Sequence, residues 1–530
     1  MKTVQIKKFL LLASLMIIIS CTTGTDKKNV TPFPATWLEE MTIARLEEGY
    51  SKGSYTVTGV VKDYLDRISA IDKSGPGLNS VIIVNPDALQ IAEELDMELK
   101  SGKVKGPLFG VPVMLKDNID THDKMPNTAG SRALRDNYPL KDSPLARKLR
   151  EAGAVIIGKT NLSEWANFRA SSSSSGWSGL GGQTKNPYVL DRNPCGSSSG
   201  SAAAVSANLC MLAIGTETDG SIVCPSNNNG VVGLKPTVGL ISRSGIIPIS
   251  FTQDTPGPIG RTVSDIAACL GPLTGIDSAD IRTLTSSGKS KNDYNIFLNS
   301  KGLKGKRIGL LKTDMGFSAK VDTLLMKVAD ILKKEGAEVI IVEAPKVNIG
   351  EAALNVLLYE FKDGIDKYLG STDASLPVRD LKGLIEFNKK DSVELKYFDQ
   401  KEFEQAQSKG DLNSKEYKES LTKILRAMRE DGIDKMMNEN RLDAIMSPTG
   451  SPAWKTDLIL GDHFVGGNSS PAAIAGYPSL TLPMGFIGDL PVGVSFTGRA
   501  WSEPVLIEIA FSYEQASKQR KAPVFKVSDN

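Results

Sequence analysis

The spacing of apolar residues changes period several times along the chain, and each change marks an element. From Trp37 to about Lys100 the spacing is mainly helical: Leu38, Met41, Ala44 and Leu46 recur on one face, as do Val60, Val61, Tyr64, Leu65 and Ile68. Residues 79–85 (NSVIIVN) interrupt it with a β-branched run that predicts a buried strand. Val111–Leu115 and Ala154–Ile157 predict two more strands, with a charged helical segment, Ser143–Ala152, between them. Further on, Arg307–Leu311 predicts a strand, Val321–Lys334 an amphipathic helix and Glu338–Val342 another strand. Residues 350–440 are highly charged and helical, a pattern expected of a cap or outer layer. Core-like sequence returns at Leu442–Met446 and Ser479–Pro483. This alternation predicts an α/β protein with a covered sheet. No Pro-rich or low-complexity linker divides it, so a single large domain is expected despite the length.

Residues 171–260 are rich in Gly and Ser, as a flexible linker would be. The small residues alternate with packed-looking runs, Ala202–Val205 and Met211–Ile214, which predicts ordered loops between core elements. The first 20 residues differ from everything after them. Lys2, Lys7 and Lys8 precede the apolar run Phe9–Ile19, too short for a mature transmembrane helix. Ser20-Cys21 follows, resembling a bacterial lipoprotein signal with Cys21 as the lipidated residue; a plain secretory leader is the alternative. Either reading exports the chain, and the lipoprotein reading anchors it in the cell envelope. Residues 21–36 are then a tether and 37–530 the folded domain.

The formal net charge of +2 includes the three leader lysines, so the remainder is close to neutral and offers no electrostatic case for nucleic acid. The lysine-rich stretch Lys289–Lys306 reads as solvated surface. Cys21, Cys195, Cys210, Cys224 and Cys269 show no CxxC or Cys/His metal pattern. With Cys21 lipidated, the other four permit three pairings, and an exported chain could oxidise them; free buried thiols are the default expectation and disulfides the alternative.

Candidate chemistry concentrates in Pro194-Cys-Gly-Ser-Ser-Ser-Gly-Ser-Ala-Ala-Ala and Gly215-Thr-Glu-Thr-Asp-Gly-Ser-Ile-Val-Cys-Pro. Small residues let backbone N–H groups approach a ligand, and a Gly-Ser step in a tight turn can expose a hydroxyl beside them. No Gly-Lys-Ser/Thr follows, which argues against a P-loop. A hydroxyl nucleophile needs a base. His122 and His463 are the only histidines, and neither serine stretch has a nucleophile-elbow context. Both histidines read as loop residues. Lys116 ends Gly110-Val-Pro-Val-Met-Leu-Lys-Asp-Asn directly after a predicted strand, where burial would lower its pKa. The same spacing equally admits a lysine that snorkels to solvent or pairs with Asp117.

These motifs resemble the amidase signature family, whose members carry a Ser–cis-Ser–Lys triad. Gly110–Asn118 resembles the family's lysine motif, Gly196–Ser201 its serine- and glycine-rich stretch, and Gly220-Ser221 its nucleophile. Ser221 follows Ser197 by 24 positions, as the family's attacking serine follows its bridging serine. The resemblance implies a central mixed β-sheet covered by helices on both faces. It implies Ser221 as nucleophile, Ser197 in a cis peptide as proton relay and Lys116 as terminal base, with Ser198 supporting Lys116. Backbone N–H groups of Thr218, Asp219, Gly220 and Ser221 would hold the oxyanion, and no metal or organic cofactor is implied.

Two departures from the commonest family pattern, Cys195 and Asp219 in place of glycines, resemble the bacterial peptide amidases. So do Trp165-Ala-Asn-Phe-Arg and Ser175-Gly-Trp-Ser. That group deamidates C-terminally amidated peptides, which implies a peptide amide substrate and puts Asn167 and Phe168 near the pocket, unless they are scaffold. Other readings are an amidase for small aliphatic or aryl amides, the glutaminase subunit of a tRNA-dependent amidotransferase, and a lipid-anchored solute-binding protein. The export leader argues against the amidotransferase subunit, and the complete Lys116, Ser197 and Ser221 set against the binding protein. Oligomeric state is not encoded in these features.

Overall fold

The computed structural model describes residues 33–528. In chain order its strands are β1 (Val81–Val84), β2 (Pro112–Lys116), β3 (Val155–Thr160), β4 (Trp177–Ser178), β5 (Gly182–Gln183), β6 (Leu212–Glu217) and β7 (Val232–Lys235). They continue as β8 (Thr255–Gly260), β9 (Arg307–Leu311), β10 (Glu338–Val342), β11 (Ala444–Pro448), β12 (Ser479–Ile487) and β13 (Leu490–Thr497). All but the small β4–β5 hairpin join one sheet in the order β1-β3-β2-β6-β8-β7-β12-β13-β11-β9-β10. The sheet is mixed. β2 runs parallel to both β3 and β6, and β9 parallel to β10 and β11, while the other neighbours are antiparallel.

Burial explains the sequence pattern of these strands. Every residue of β2, β3, β6, β7, β8, β11 and β13 is buried, so they read as continuous rather than alternating runs. Helices cover both faces. Ser199–Ser206 and Val223–Asn228 touch each other and the middle of the sheet, while Val263–Leu273, Glu503–Ser517 and Ala319–Lys334 form another contiguous layer. The Ser199–Ser206 helix is buried at every position, which its small Ser, Gly and Ala side chains permit. One domain results, as expected.

Residues 350–440 form the expected cap. Its helices Gly350–Ser371, Leu381–Lys390 and Lys401–Gln407 share a second hydrophobic core with Trp165, Phe168, Ile247 and Ile249 of the main body. Phe361 stacks on Phe403 with ring centres 5.2 Å apart and meets Phe168 at 5.0 Å. A buried cation reinforces the junction: Arg169 lies 2.9 Å from the Glu164 carboxylate and 3.5 Å from that of Glu394 in the cap.

The leader and Cys21 lie outside the described residues. Residues 33–36, the end of the expected tether, are packed on the body. Phe33 meets Phe525 edge-on, and Arg67 donates to the Pro34 carbonyl at 3.0 Å. Lys289, Lys291, Lys301 and Lys304 are exposed, as expected of a solvated stretch. Among the described residues no helix is long and apolar enough to cross a membrane.

Candidate active site

Because β2 and β6 run parallel as neighbours, their carboxyl ends lie side by side, the usual location of ligand sites in such sheets. Lys116 ends β2 and Glu217 ends β6. Lys116 is fully buried. Its Nζ is 2.7 Å from Ser197 Oγ, 2.9 Å from Thr216 Oγ1 and 3.2 Å from the Thr216 carbonyl. Among the described residues it joins no ion pair. The lysine therefore neither snorkels to solvent nor pairs with Asp117. That carboxylate accepts from the Thr128 hydroxyl instead and faces Lys159 at 4.0 Å. Burial pulls the Lys116 ammonium down to about 7 against the opposing pull of Asp254 and Glu217, which leaves a large neutral fraction near neutral pH.

Ser197 follows a cis Gly196–Ser197 peptide bond, as the family resemblance implies. Its carbonyl accepts from the Ser163 N–H at 3.1 Å. Ser198 reaches across to β6, where its hydroxyl donates to the Thr216 carbonyl at 3.1 Å and accepts from the Thr216 N–H at 3.2 Å. This supports the strand end that holds Lys116. Glycine is required opposite: a Cβ on Gly215 would stand 2.8 Å from Ser198 Oγ.

The chain turns sharply after β6. Gly220 has φ +80°, open to glycine, and a Cβ there would meet Ser469 Oγ at 2.9 Å. Glu217 folds forward so that Oε2 accepts the N–H groups of Ile222 and Val223 at 2.8 and 3.0 Å. Buried Lys235 supplies the nearby positive charge. With those later N–H groups satisfied, the N–H groups of Thr218, Asp219, Gly220 and Ser221 donate to no acceptor among the described residues. Four consecutive free donors beside a serine hydroxyl suit an oxyanion. The Asp219 carboxylate turns outward and accepts from Ser469 Oγ at 2.5 Å and Ser470 Oγ at 2.7 Å. The two serine loops touch directly, Ser198 N–H donating to the Ser221 carbonyl at 3.1 Å.

A cleft of about 530 Å³ borders this cluster: Asn118, Thr216, Thr218 and Asp254 line it together with the apolar Ala166, Ile247, Ile249 and Phe251, while Lys116, Ser197 and Ser221 are not among its lining residues. A larger hollow of about 880 Å³ lies in the cap between Val347 and Asp431 and contains none of these groups. Of the two residues expected near the pocket, Asn167 is exposed and accepts from Ser173 Oγ at 2.9 Å, while Phe168 is buried against Phe361. The wall at that point is Ala166. His122 and His463 are surface loop residues, beside the Pro139 carbonyl and the Asp457 carboxylate respectively.

One expectation is overturned. Cys195 and Cys224 are joined in a disulfide, with Cα atoms 6.0 Å apart. Their 29-residue separation hides a direct encounter of the two serine loops, which brings the side chains within bonding range. Cys210 and Cys269 are free and buried, as expected. Sequence reasoning also missed Thr216, Glu217 and Asp254. The first two lie inside the motif already singled out, where a carboxylate just before a glycine-serine turn could have been read as a cap. Asp254 had no such signal. It reaches the site through its Oδ1, which accepts from Thr218 Oγ1 at 2.6 Å, and burial pushes its own carboxyl up to about 6.

The Amidase family matches residues 59–507. A "probable amidase" of Arabidopsis thaliana is 41% identical over 530 residues, covering 97% of this chain and 97% of that protein. The peptide amidase of Stenotrophomonas maltophilia superposes with a TM-score of 0.89 at 48% identity, over 93% of this chain and 100% of that one. A peptide amidase in complex with the competitive inhibitor chymostatin gives the same TM-score at 49% identity, over 92% of this chain and 99% of that one.

Proposed function

This chain belongs to the amidase signature family and is an amidohydrolase, and from that premise we propose that it deamidates C-terminally amidated peptides through a Ser221–Ser197–Lys116 relay. The observation that carries the mechanism is the buried Lys116 amine 2.7 Å from Ser197 Oγ, with Ser197 on a loop bonded to that of Ser221. In this reading Ser221 Oγ attacks the carboxamide carbon while Ser197 takes its proton and passes its own to the neutral Lys116 amine. The N–H groups of residues 218–221 stabilise charge that appears only as the tetrahedral intermediate forms. The proton then returns through Ser197 to the departing nitrogen, ammonia leaves, and water hydrolyses the acyl-enzyme by the reverse relay.

The peptide preference is supported by the likeness to peptide amidases and by the cleft, whose volume lies in the range of sites for ligands larger than a simple amide. Ammonia release from amidated peptides, asparagine, glutamine and simple aliphatic and aryl amides tests it. The expected result is highest kcat/KM on amidated peptides. Activity on small amides with none on any amidated peptide would refute the peptide assignment and leave the amidohydrolase standing. Export with lipid attachment at Cys21 is part of the proposal. A fatty-acid label absent from Cys21→Ala would support it, and a wholly unlabelled chain would remove it.

A further inference from the structure

The Cys195–Cys224 disulfide has no place in the reaction just described, yet it joins the two segments whose alignment that reaction needs. Cys195 stands two residues before Ser197, and Cys224 three residues after Ser221. Both ends are firmly seated. The Cys195 N–H donates to Asn193 Oδ1 at 2.7 Å, and its carbonyl accepts from Ser199 Oγ at 2.5 Å at the start of the buried Ser199–Ser206 helix. The Cys224 N–H donates to the Gly220 carbonyl at 2.8 Å and so closes the turn that presents Ser221. Two hydrogen bonds run beside the covalent link, Ser198 N–H to the Ser221 carbonyl at 3.1 Å and Asn229 Nδ2 to the Pro194 carbonyl at 2.8 Å.

We propose that this disulfide is a positioning element of the catalytic centre, so that full turnover requires the oxidised bridge. The inference rests on the assignment of Ser221 and Ser197 made above. Two thiols cannot remain at bonding distance, so reduction removes the covalent restraint on the loop separation and leaves it to hydrogen bonds alone, which permits displacements on the order of 1 Å. Proton relay between hydroxyls demands hydrogen-bond reach, and misplacement of about 1 Å is enough to cost roughly 100-fold in rate. The fold and its large core remain in place, so the loss falls on turnover rather than on folding. An exported chain meets the oxidising surroundings that form the bond. Cys195 is buried and Cys224 only partly so, which makes the Cys224 side the approach for a small reductant. A water-soluble phosphine supplies the two electrons: phosphine, water and the disulfide give phosphine oxide and two thiols.

The test compares oxidised, phosphine-reduced and reoxidised full-length enzyme, with thiols counted by mass, at a temperature well below the thermal midpoint. The expected result is a fall in kcat of at least about tenfold with KM within about twofold, an unchanged circular dichroism spectrum, and recovery on reoxidation. The Cys195→Ser/Cys224→Ser variant should show the reduced enzyme's kcat and no response to phosphine. Fully reduced enzyme turning over within about twofold of the oxidised form would overturn the proposal. So would a fall in thermal midpoint with unchanged kcat, which would make the bridge a stabilising link only. Reduction of the wild-type chain decides the matter should the double variant fail to fold. Activity persisting in Ser221→Ala would instead refute the underlying serine assignment.

Discussion

Lowering the pH of an assay from about 9 to about 5, with an amide that does not titrate in that range, should extinguish activity through Lys116. The amine is fully buried, with only Ser197 and Thr216 as hydrogen-bond partners among the described residues, so bringing a proton onto it means holding a cation that Asp254 and Glu217 compensate only in part. The fall from a lysine's ordinary 10.5 to about 7 corresponds to roughly 5 kcal/mol against the charged form. The sign follows from the role. A base must be neutral, so kcat/KM should be flat above about pH 8 and fall with unit slope below about 7. It should reach about one tenth of its plateau one pH step below the midpoint and about one hundredth two steps below. Lys116→Arg should lose activity on the order of 10²- to 10⁴-fold at every pH, because a guanidinium stays charged. Stopped-time ammonia assays in a constant-ionic-strength buffer series give the profile. A midpoint near 10 would mean the amine is not desolvated as the structure indicates. A midpoint near 4, or activity retained in Lys116→Arg, would give the base role to another group.

Other expectations follow from the same geometry. Asp254→Asn removes a negative charge that favours the Lys116 ammonium, so the acid limb of the profile should move to lower pH; movement upward would contradict the electrostatic account. Glu217→Ala leaves the Ile222 and Val223 N–H groups and buried Lys235 without their carboxylate. It should cost about 3–5 kcal/mol in urea unfolding and lower kcat more than it raises KM, and a neutral effect on both would remove Glu217 as the anchor of the turn. Arg169→Met strands Glu164 and Glu394 at the cap junction and should also cost about 3–5 kcal/mol, read from the denaturant midpoint; a change within error would mean the junction is held by its apolar core alone.

Where hydrophobicity alone sets an element, the sequence was enough to find it. Arg307–Leu311 and Glu338–Val342 are strands at the predicted residues because short apolar runs there, β-branched in the second, end in charged or loop sequence. The strands of the site end later than the apolar pattern predicts, β2 by one residue and β3 by three. β2 continues through Lys116 and β3 through Lys159 and Thr160, polar residues buried because the site and its supports need them. β8 was hidden altogether, since TPGPIG reads as a turn. Its prolines are two apart and lack N–H groups on the same edge, while β7 pairs only with Ile259 and Gly260, so no β7–β8 pairing falls on a proline. The site divides likewise. Lys116, Ser197 and Ser221 lie in long motifs legible by resemblance. Asp254, the Ser469–Ser470 pair and the Cys195–Cys224 bond depend on loops that meet only in the folded chain.

The central claim is that Ser221 is the nucleophile, and reaction with a fluorophosphonate tests it most directly. Intact mass followed by peptide mapping should find one adduct per chain, on Ser221, formed more slowly in Lys116→Ala and absent from Ser221→Ala together with amide hydrolysis. An adduct on a different residue, or amide hydrolysis surviving in Ser221→Ala, would contradict the account.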